Sequence, residues 1–248
     1  MKGIKNSEKD VLKVITSDRK RTNILRKPEQ AALACLVQRV PPSISSDALT
    51  YLGLFGNFLV GISFVMAAFY HINYLLISIL GFILNWLGDS LDGRLAYYRN
   101  KPRKWYGFML DVTIDWIGII FIGIGFMIYV GSPFFLLGFL FVVLYGWEMI
   151  TALLRYKILG SYSIDSGIMG PTEVRIVVAL MLVMEVVIPF SIIYSSAVII
   201  IILISANIRD TRRLIHHANL RDVDENVKKE IMSIIETVNL PKMDDPSE

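Results

Sequence analysis

Two stretches of sequence decide the fold, and both carry aspartates at the end of an apolar run. They read Asp89-Ser90-Leu91-Asp92-Gly93-Arg94-Leu95-Ala96 and, after a short basic segment, Gly107-Phe108-Met109-Leu110-Asp111-Val112-Thr113-Ile114-Asp115. Residues three or four apart share one face of a helix, so each stretch presents a pair of carboxylates on one side. Ionisable groups at membrane depth are costly and face an interior or a cavity. We therefore predict two helices whose carboxylates meet inside a bundle.

A divalent cation is the natural partner for such a group of carboxylates. Hard Mg²⁺ or Mn²⁺ prefers carboxylate oxygen, and Mg²⁺ commonly connects one or two carboxylates to substrate phosphates. The small residues Gly93, Ala96 and Gly107 allow a ligand or another backbone to come close. Helix-end charges near water would explain one aspartate pair. Two pairs with small residues at regular spacing favour a binding site instead.

The composition is that of a membrane protein. The chain has 248 residues, of which 54% are hydrophobic, and its mean hydropathy is +0.54. The apolar residues come in long blocks, unlike those of an ordinary soluble domain. The net charge of only +3 gives no support to a nucleic acid partner, and we expect none. Cys35 is the single cysteine, so no internal disulfide forms.

We predict an all-α integral membrane protein with six transmembrane helices preceded by an interfacial amphipathic helix. A span needs about 20 residues, and in lipid the backbone must satisfy its own hydrogen bonds, which favours helices. The fifth predicted span is short. The spans are predicted at residues 48–70, 74–98, 106–129, 133–156, 171–188 and 190–208.

Three regions follow from this division. Residues 1–44 are a predicted cytoplasmic segment, in which Pro28 to Arg39 forms the interfacial helix. We expect Ala31, Ala32, Cys35 and Leu36 to line one face of this helix, although a plain solvated helix is an alternative. Residues 45–208 are the predicted catalytic domain. Residues 209–248 are a predicted cytoplasmic helical tail with an apolar stripe, which packs on the same protein or on a second subunit.

Lysine and arginine are confined to every second link, that is, every second loop between spans, and this pattern predicts the orientation. The positive-inside rule assigns basic links to the cytoplasm. Basic residues occur in the second and fourth links and after the sixth span, but the other links carry none. Both termini and both carboxylate pairs are therefore predicted to be cytoplasmic, where nucleotides are available.

The aspartate pattern resembles the signature of the CDP-alcohol phosphotransferase family. That signature reads Asp, two residues, Asp-Gly, two residues, Ala-Arg, eight or nine residues, Gly, three residues, Asp, three residues, Asp. The chain matches it at Asp89, Asp92, Gly93, Ala96, Gly107, Asp111 and Asp115. The exception is Tyr97, where the family has arginine. Arg94, three residues earlier, would point to a similar side of the helix and replace the missing cation.

The resemblance implies an activity and roles for these residues. A substituted phosphate would pass from a CDP-linked donor, expected to be CDP-diacylglycerol, to an alcohol, with release of CMP and formation of a phospholipid. Asp115 would also be the general base, and the family implies a homodimer. The implied ligands of one or two Mg²⁺ or Mn²⁺ ions are Asp89, Asp92, Asp111 and Asp115. The implied nucleotide-binding residues are Gly93, Arg94, Ala96 and Gly107.

Three cations suggest the nature of the acceptor. Arg155, Lys157 and Arg175 flank one predicted cytoplasmic loop, at the membrane depth of the aspartates. Arginine grips phosphate through paired hydrogen bonds, so these residues predict an anionic acceptor such as a polyol phosphate. The alternative is that they are ordinary positive-inside residues near lipid head groups.

Two other functions compete with this interpretation. A Mg²⁺-dependent membrane prenyltransferase also binds a diphosphate through aspartates, but it would need a second aspartate-rich motif, and the sequence shows one. A non-catalytic ion-binding transporter or scaffold is the rival from another class. Transporters often contain repeated halves with broken helices, and the sequence shows no such repeat.

Overall fold

The computed structural model describes residues 25–159 and 171–239, which form helices and no strand. Residues 1–24 of the predicted N-terminal segment and residues 240–248 of the predicted tail lie outside the described residues. The helices are α1 (Arg26–Val37), α2 (Ser46–Phe69), a 3₁₀ turn (Ile72–Leu76) leading into α3 (Ile77–Tyr98), α4 (Lys104–Val130), α5 (Phe135–Leu159), α6 (Pro171–Val187) and α7 (Ser191–Asn239).

Five of the described helices are long and apolar enough to cross a bilayer. They are α2, the continuous segment of the 3₁₀ turn and α3, and then α4, α5 and α7. Helix α6 has 17 residues, which is the lower limit for a span. The all-α membrane architecture is confirmed, whereas the count of six spans and the interfacial position of α1 stay predictions.

The last span differs from its predicted bounds. The sequence suggested a span ending at Ile208 and a separate tail helix, but α7 is one continuous helix of 49 residues, from Ser191 to Asn239. Its sequence contains no glycine and no proline, so nothing interrupts the backbone hydrogen bonds where the apolar run ends.

Helix α2 is the centre of one half of the bundle because small residues let its neighbours approach closely. A Cβ atom on Gly88 of α3 would lie 2.4 Å from the backbone nitrogen of Gly53 of α2. A Cβ atom on Gly125 of α4 would lie 2.4 Å from the carbonyl oxygen of Gly61. Such close contacts are typical of helix pairs in membranes. The second half of α3 thus lies beside the start of α2, and the start of α4 lies there too, because Asp47 in the first turn of α2 pairs with the N-cap residue of α4.

Helix α1 packs on the bundle through a face other than the one predicted to lie in the membrane interface. Leu33, Ala34 and Val37 are at most 1% exposed and pack in a cluster with residues of α2 and α3. Ala31 and Ala32 are exposed and do not pack on the bundle, so the prediction that they face the membrane interface with Cys35 and Leu36 stays a prediction. A helix resting on a bundle buries the stripe that the neighbouring helices leave open, and sequence alone does not show those neighbours.

The turn between α6 and α7 is held by Glu185, at the end of the bundle opposite to the aspartates. This side chain is 2% exposed. Its Oε2 accepts hydrogen bonds from the backbone N–H of Ile192 (2.8 Å) and the hydroxyl of Ser191 (3.2 Å). Its Oε1 accepts from the Tyr129 hydroxyl (2.7 Å) and the Phe190 N–H (3.1 Å). The carboxylate thus caps the first turn of α7 and ties it to α4.

Candidate active site

The two halves of the aspartate motif meet in space. Asp89 lies near the end of α3, and Asp111 and Asp115 lie one turn apart near the start of α4. One carboxylate oxygen from each of the three lies within 4.8 Å of the others, and all three side chains are half-buried. Three like charges at this separation repel by roughly 3 kcal/mol per pair at an effective dielectric constant of about 20. A cation is therefore favoured between them.

The donor set fits a hard divalent ion. All three ligand atoms are carboxylate oxygens, which suit Mg²⁺ or Mn²⁺ and do not suit soft metals. The site is half-buried, so it leaves room for oxygen ligands from a substrate or from water, as Mg²⁺ sites commonly do.

Arg175 of α6 reaches the same site. Its guanidinium forms an ion pair with Asp89, and its Nε donates to Oδ1 of Asn85 at 2.7 Å. Asn85 lies one turn before Asp89, is 4% exposed, and donates through Nδ2 to the carbonyl of Gly53 at 3.2 Å. Asp115 also lies close enough to interact electrostatically with Arg175. The three helices α2, α3 and α6 thus hold one guanidinium at the edge of the carboxylates.

Sequence reasoning did not single out Asn85. Its signal was an amide inside an apolar span, four residues before the first aspartate of the motif. That spacing places the two side chains on one helix face, but only the position of α6 shows that both contact the same arginine.

The start of α6 is held by a second contact. Glu173 is 9% exposed, and its Oε1 accepts a hydrogen bond from the backbone N–H of Leu25 at 2.9 Å. This bond connects the beginning of α1 to the first turn of α6. Arg175 follows two residues later, so the contact helps to set the depth at which its side chain enters the site.

Asp92, the remaining predicted ligand, lies to one side of the three-carboxylate group. It is 8% exposed and accepts a hydrogen bond from the Thr50 hydroxyl at 2.8 Å. The backbone N–H of Gly93 donates to its other oxygen. Asp92 is not a member of the three-carboxylate group found in the described residues. Its role as a metal ligand stays a prediction.

The residues predicted to bind the nucleotide differ in their surroundings. Gly107 is exposed, and a Cβ atom there would meet nothing within 4 Å, so open space adjoins it. Gly93 and Ala96 are half-buried. Arg94 is only 7% exposed, and its guanidinium donates to the carbonyl of Ser90 in the preceding turn. The open space beside Gly107 is therefore the part of the motif most accessible to a ligand.

The three cations predicted to bind the acceptor have different described partners. Arg175 contacts the carboxylate site as described. Arg155 instead forms an ion pair with Asp210 of α7 at 3.3 Å. Lys157 is exposed, and its backbone carbonyl accepts a hydrogen bond from Arg221 at 2.9 Å. Of the three, Arg175 is the one that the structure brings to the aspartates.

Fold and site together define a helical membrane protein with a clustered carboxylate site at one end of its bundle. A sequence model of the CDP-alcohol phosphatidyltransferase family matches residues 45–208, which is more than half of the chain. The chain therefore belongs to the CDP-alcohol phosphatidyltransferase family, a family of membrane transferases that move a phosphatidyl group from a CDP-alcohol to an acceptor. A comparison with curated protein sequences finds no match.

Proposed function

We propose that this protein transfers a phosphatidyl group from CDP-diacylglycerol to an anionic alcohol, releasing CMP, in phospholipid synthesis. The observation that carries the proposal is the group of Asp89, Asp111 and Asp115, whose oxygens lie within 4.8 Å of one another at the end of an apolar bundle. Such a group suits a metal-bound diphosphate and has no evident purpose in packing.

An apolar groove beside the site supports a lipid donor. A cavity of about 440 Å³ lies between α3 and α6, with Ile83 and Trp86 on one wall and Ile176 and Val183 on the other. Thr172 and Arg175 also line it, so the groove reaches the polar site. A lipid with its diphosphate at the carboxylates would place acyl chain in this groove. A donor without acyl chains would leave the groove unused.

The chemistry follows from the placement of the side chains. When bound, one or two Mg²⁺ or Mn²⁺ ions would neutralise the diphosphate and the charge that develops on departing CMP. Asp89, Asp92 and Asp111 are the proposed principal ligands, with Asp115 alongside. Asp115 would also accept the proton of the attacking hydroxyl as general base. Because donor and acceptor are held side by side, no covalent enzyme intermediate is needed.

Arg175 is the proposed acceptor-binding residue with the best support. Two of its nitrogens are engaged by Asn85 and Asp89, which fixes the plane of the guanidinium. A guanidinium carries five N–H groups, so in this proposal Arg175 also donates to a phosphate on the acceptor. Arg155 and Lys157 are proposed to contribute less, because the contacts described for them are with α7.

The proposed orientation places both termini and the carboxylates in the cytoplasm, as the positive-inside pattern predicts. The test is labelling of single cysteines in a Cys35→Ser background. Ser132→Cys is expected to react with an impermeant reagent added outside intact cells, whereas Asn100→Cys is not. The reverse pattern would overturn both the orientation and the cytoplasmic site.

The activity itself is tested with purified protein, CDP-diacylglycerol and a panel of alcohols. We expect CMP release that requires Mg²⁺ or Mn²⁺ and is stimulated most by a phosphorylated polyol. Release of inorganic diphosphate from a prenyl donor would favour the prenyltransferase. Metal binding without any turnover would favour the transporter or scaffold. A preference for an uncharged alcohol would reject the anionic acceptor.

The proposed homodimer, with a separate site in each subunit, rests on family membership. Its functional relevance is tested by activity against oligomeric state in detergent. Fully active monomers would remove it.

A further inference from the structure

The last part of α7 carries an apolar stripe outside the bundle. At 1.5 Å per residue the helix is about 73 Å long, whereas the hydrocarbon core of a bilayer is about 30 Å thick. Residues beyond Asp210 therefore extend about 40 Å past the span. The stripe side chains are between 48% and 60% exposed, and they are Leu220, Val223, Val227, Ile231, Ile234 and Ile235.

The stripe repeats every eleven residues. Leu220 is followed by Ile231, and Val223 by Ile234. An eleven-residue repeat matches the helix at about 3.67 residues per turn, so the stripe runs nearly straight along the axis and suits a weakly right-handed supercoil. A single helix standing in water does not need such a repeat. Two helices packed side by side along their length do.

The base of this segment is held to the bundle. Arg221 donates two hydrogen bonds to the last carbonyls of α5, at Lys157 (2.9 Å) and Ile158 (2.8 Å). It also forms an ion pair with Glu225 one turn later. These contacts lie near the N-terminal end of the stripe, so they fix the direction in which the segment leaves the bundle.

Charges beside the stripe are complementary to those of a parallel copy. Lys228 and Glu230 lie about 80° to opposite sides of the stripe, at about 100° per residue. In a parallel pair related by a two-fold axis, each flank faces the opposite flank of the other helix. Lys228 of one copy then lies beside Glu230 of the second copy, and the pairing occurs twice. Asp224 lies on the same side of the stripe as Lys228 but nearer to its centre, so its charge disfavours closer packing of that side against the second helix.

The membrane supplies the remaining condition. Copies inserted in the same orientation present their α7 extensions in parallel, in the same plane, and at a high effective concentration. A stripe of this length, too short to hold two free peptides together, is adequate under that confinement. An antiparallel pairing is excluded for copies with one topology.

We propose that residues 220–235 form a parallel two-stranded coiled coil with the same segment of a second copy of this chain. The surface is isologous, with Leu220, Val227 and Ile231 at the seam and the Lys228–Glu230 pairs on its two flanks. It is independent of the chemistry at the carboxylate site.

The test is disulfide trapping of the full chain in native membranes, in a Cys35→Ser background. Ile231→Cys lies at the seam, and Ser233→Cys lies on the far face at nearly the same height. We expect Ile231→Cys to form a covalent dimer at least about tenfold faster, because only seam residues reach disulfide distance. Equal rates at the two positions, or no dimer from either, would overturn the proposal.

A charge exchange distinguishes this pairing from random collision. Lys228→Glu in the Ile231→Cys background is expected to slow dimer formation several-fold, and adding Glu230→Lys is expected to restore it. The singly and doubly substituted helices carry similar propensities, so loss of helix does not imitate this result. Failure of the second substitution to restore trapping would reject the parallel register.

Discussion

Two carboxylate sites at opposite ends of the bundle differ in the partners that surround their charges. Glu185 is a single carboxylate, 2% exposed, that accepts four hydrogen bonds from Tyr129, Phe190, Ser191 and Ile192. At the other end, Asp89, Asp111 and Asp115 crowd within 4.8 Å, with Arg175 paired to Asp89.

The two sites differ in charge balance as well as in burial. Two backbone N–H donors, two hydroxyls and the positive end of α7 compensate one negative charge at Glu185. Three negative charges and one arginine leave the aspartate site with an excess. A carboxylate saturated by donors stabilises the fold, whereas crowded carboxylates require a further cation and suit catalysis.

The largest expected effect is on turnover at the aspartate end. Asp115→Asn should lower the rate of CMP release by about 10²- to 10⁴-fold because it removes the proposed base. Binding of metal and donor should persist, whereas Asp89→Asn, Asp92→Asn and Asp111→Asn should lose metal-dependent donor binding. Titration of the donor with each variant measures this. Near-normal turnover in Asp115→Asn would refute the assignment of the base.

The matching change at the other end should affect stability instead. Glu185→Gln replaces an acceptor with an amide donor facing N–H and O–H groups, and should lower the free energy of unfolding by about 1–3 kcal/mol. Thermal unfolding in detergent gives the change, and turnover per folded molecule should be retained. Tyr129→Phe is the control, since it removes one of the four donors and should cost less. Loss of turnover without loss of stability would contradict the structural role.

Replacing Arg175 and Arg155 in turn tests which of the two cations binds the acceptor at the aspartate end. Arg175→Ala should raise the acceptor KM about tenfold and leave the donor KM nearly unchanged, as expected when uniform acceptor binding is lost. Arg155→Ala should have a much smaller effect, because its guanidinium already pairs with Asp210. Steady-state kinetics with both substrates varied gives both constants. Equal effects of Arg175→Ala on the two KM values would place the residue at the donor instead.

The smallest expected effect concerns Thr50, the hydrogen-bond donor to Asp92. Thr50→Val keeps the shape and removes one hydrogen bond, so the metal concentration giving half-maximal activity should change by less than about fivefold. Asp92→Asn should have a far larger effect if Asp92 is a ligand. Metal titrations of the two variants compare them directly. Equal losses of metal affinity in Thr50→Val and Asp92→Asn would indicate that Asp92 has a packing role and is not a metal ligand.

Much of the architecture was predictable because membrane helices are encoded locally. Apolar runs of about 20 residues set the spans, and the starts of α2, α4 and α6 fall within a few residues of their predicted positions. The continuation of α7 to Asn239 was missed, although the absence of glycine and proline was visible. A change from apolar to polar residues marks the edge of a membrane and does not end a helix.

The sequence by itself determined the helical membrane class and the family, and it pointed to the two aspartate pairs, because period and spacing along one chain carry that information. Which three of the four aspartates come together was decided by the tertiary structure. The tertiary structure alone decided which partners each polar side chain meets. Asn85 with Arg175, Asp92 with Thr50, and Glu185 with the start of α7 each join residues from different parts of the chain. Contacts of this kind depend on how closely the glycines of α2, α3 and α4 let the helices approach, and the spacing of residues along one helix does not contain that distance.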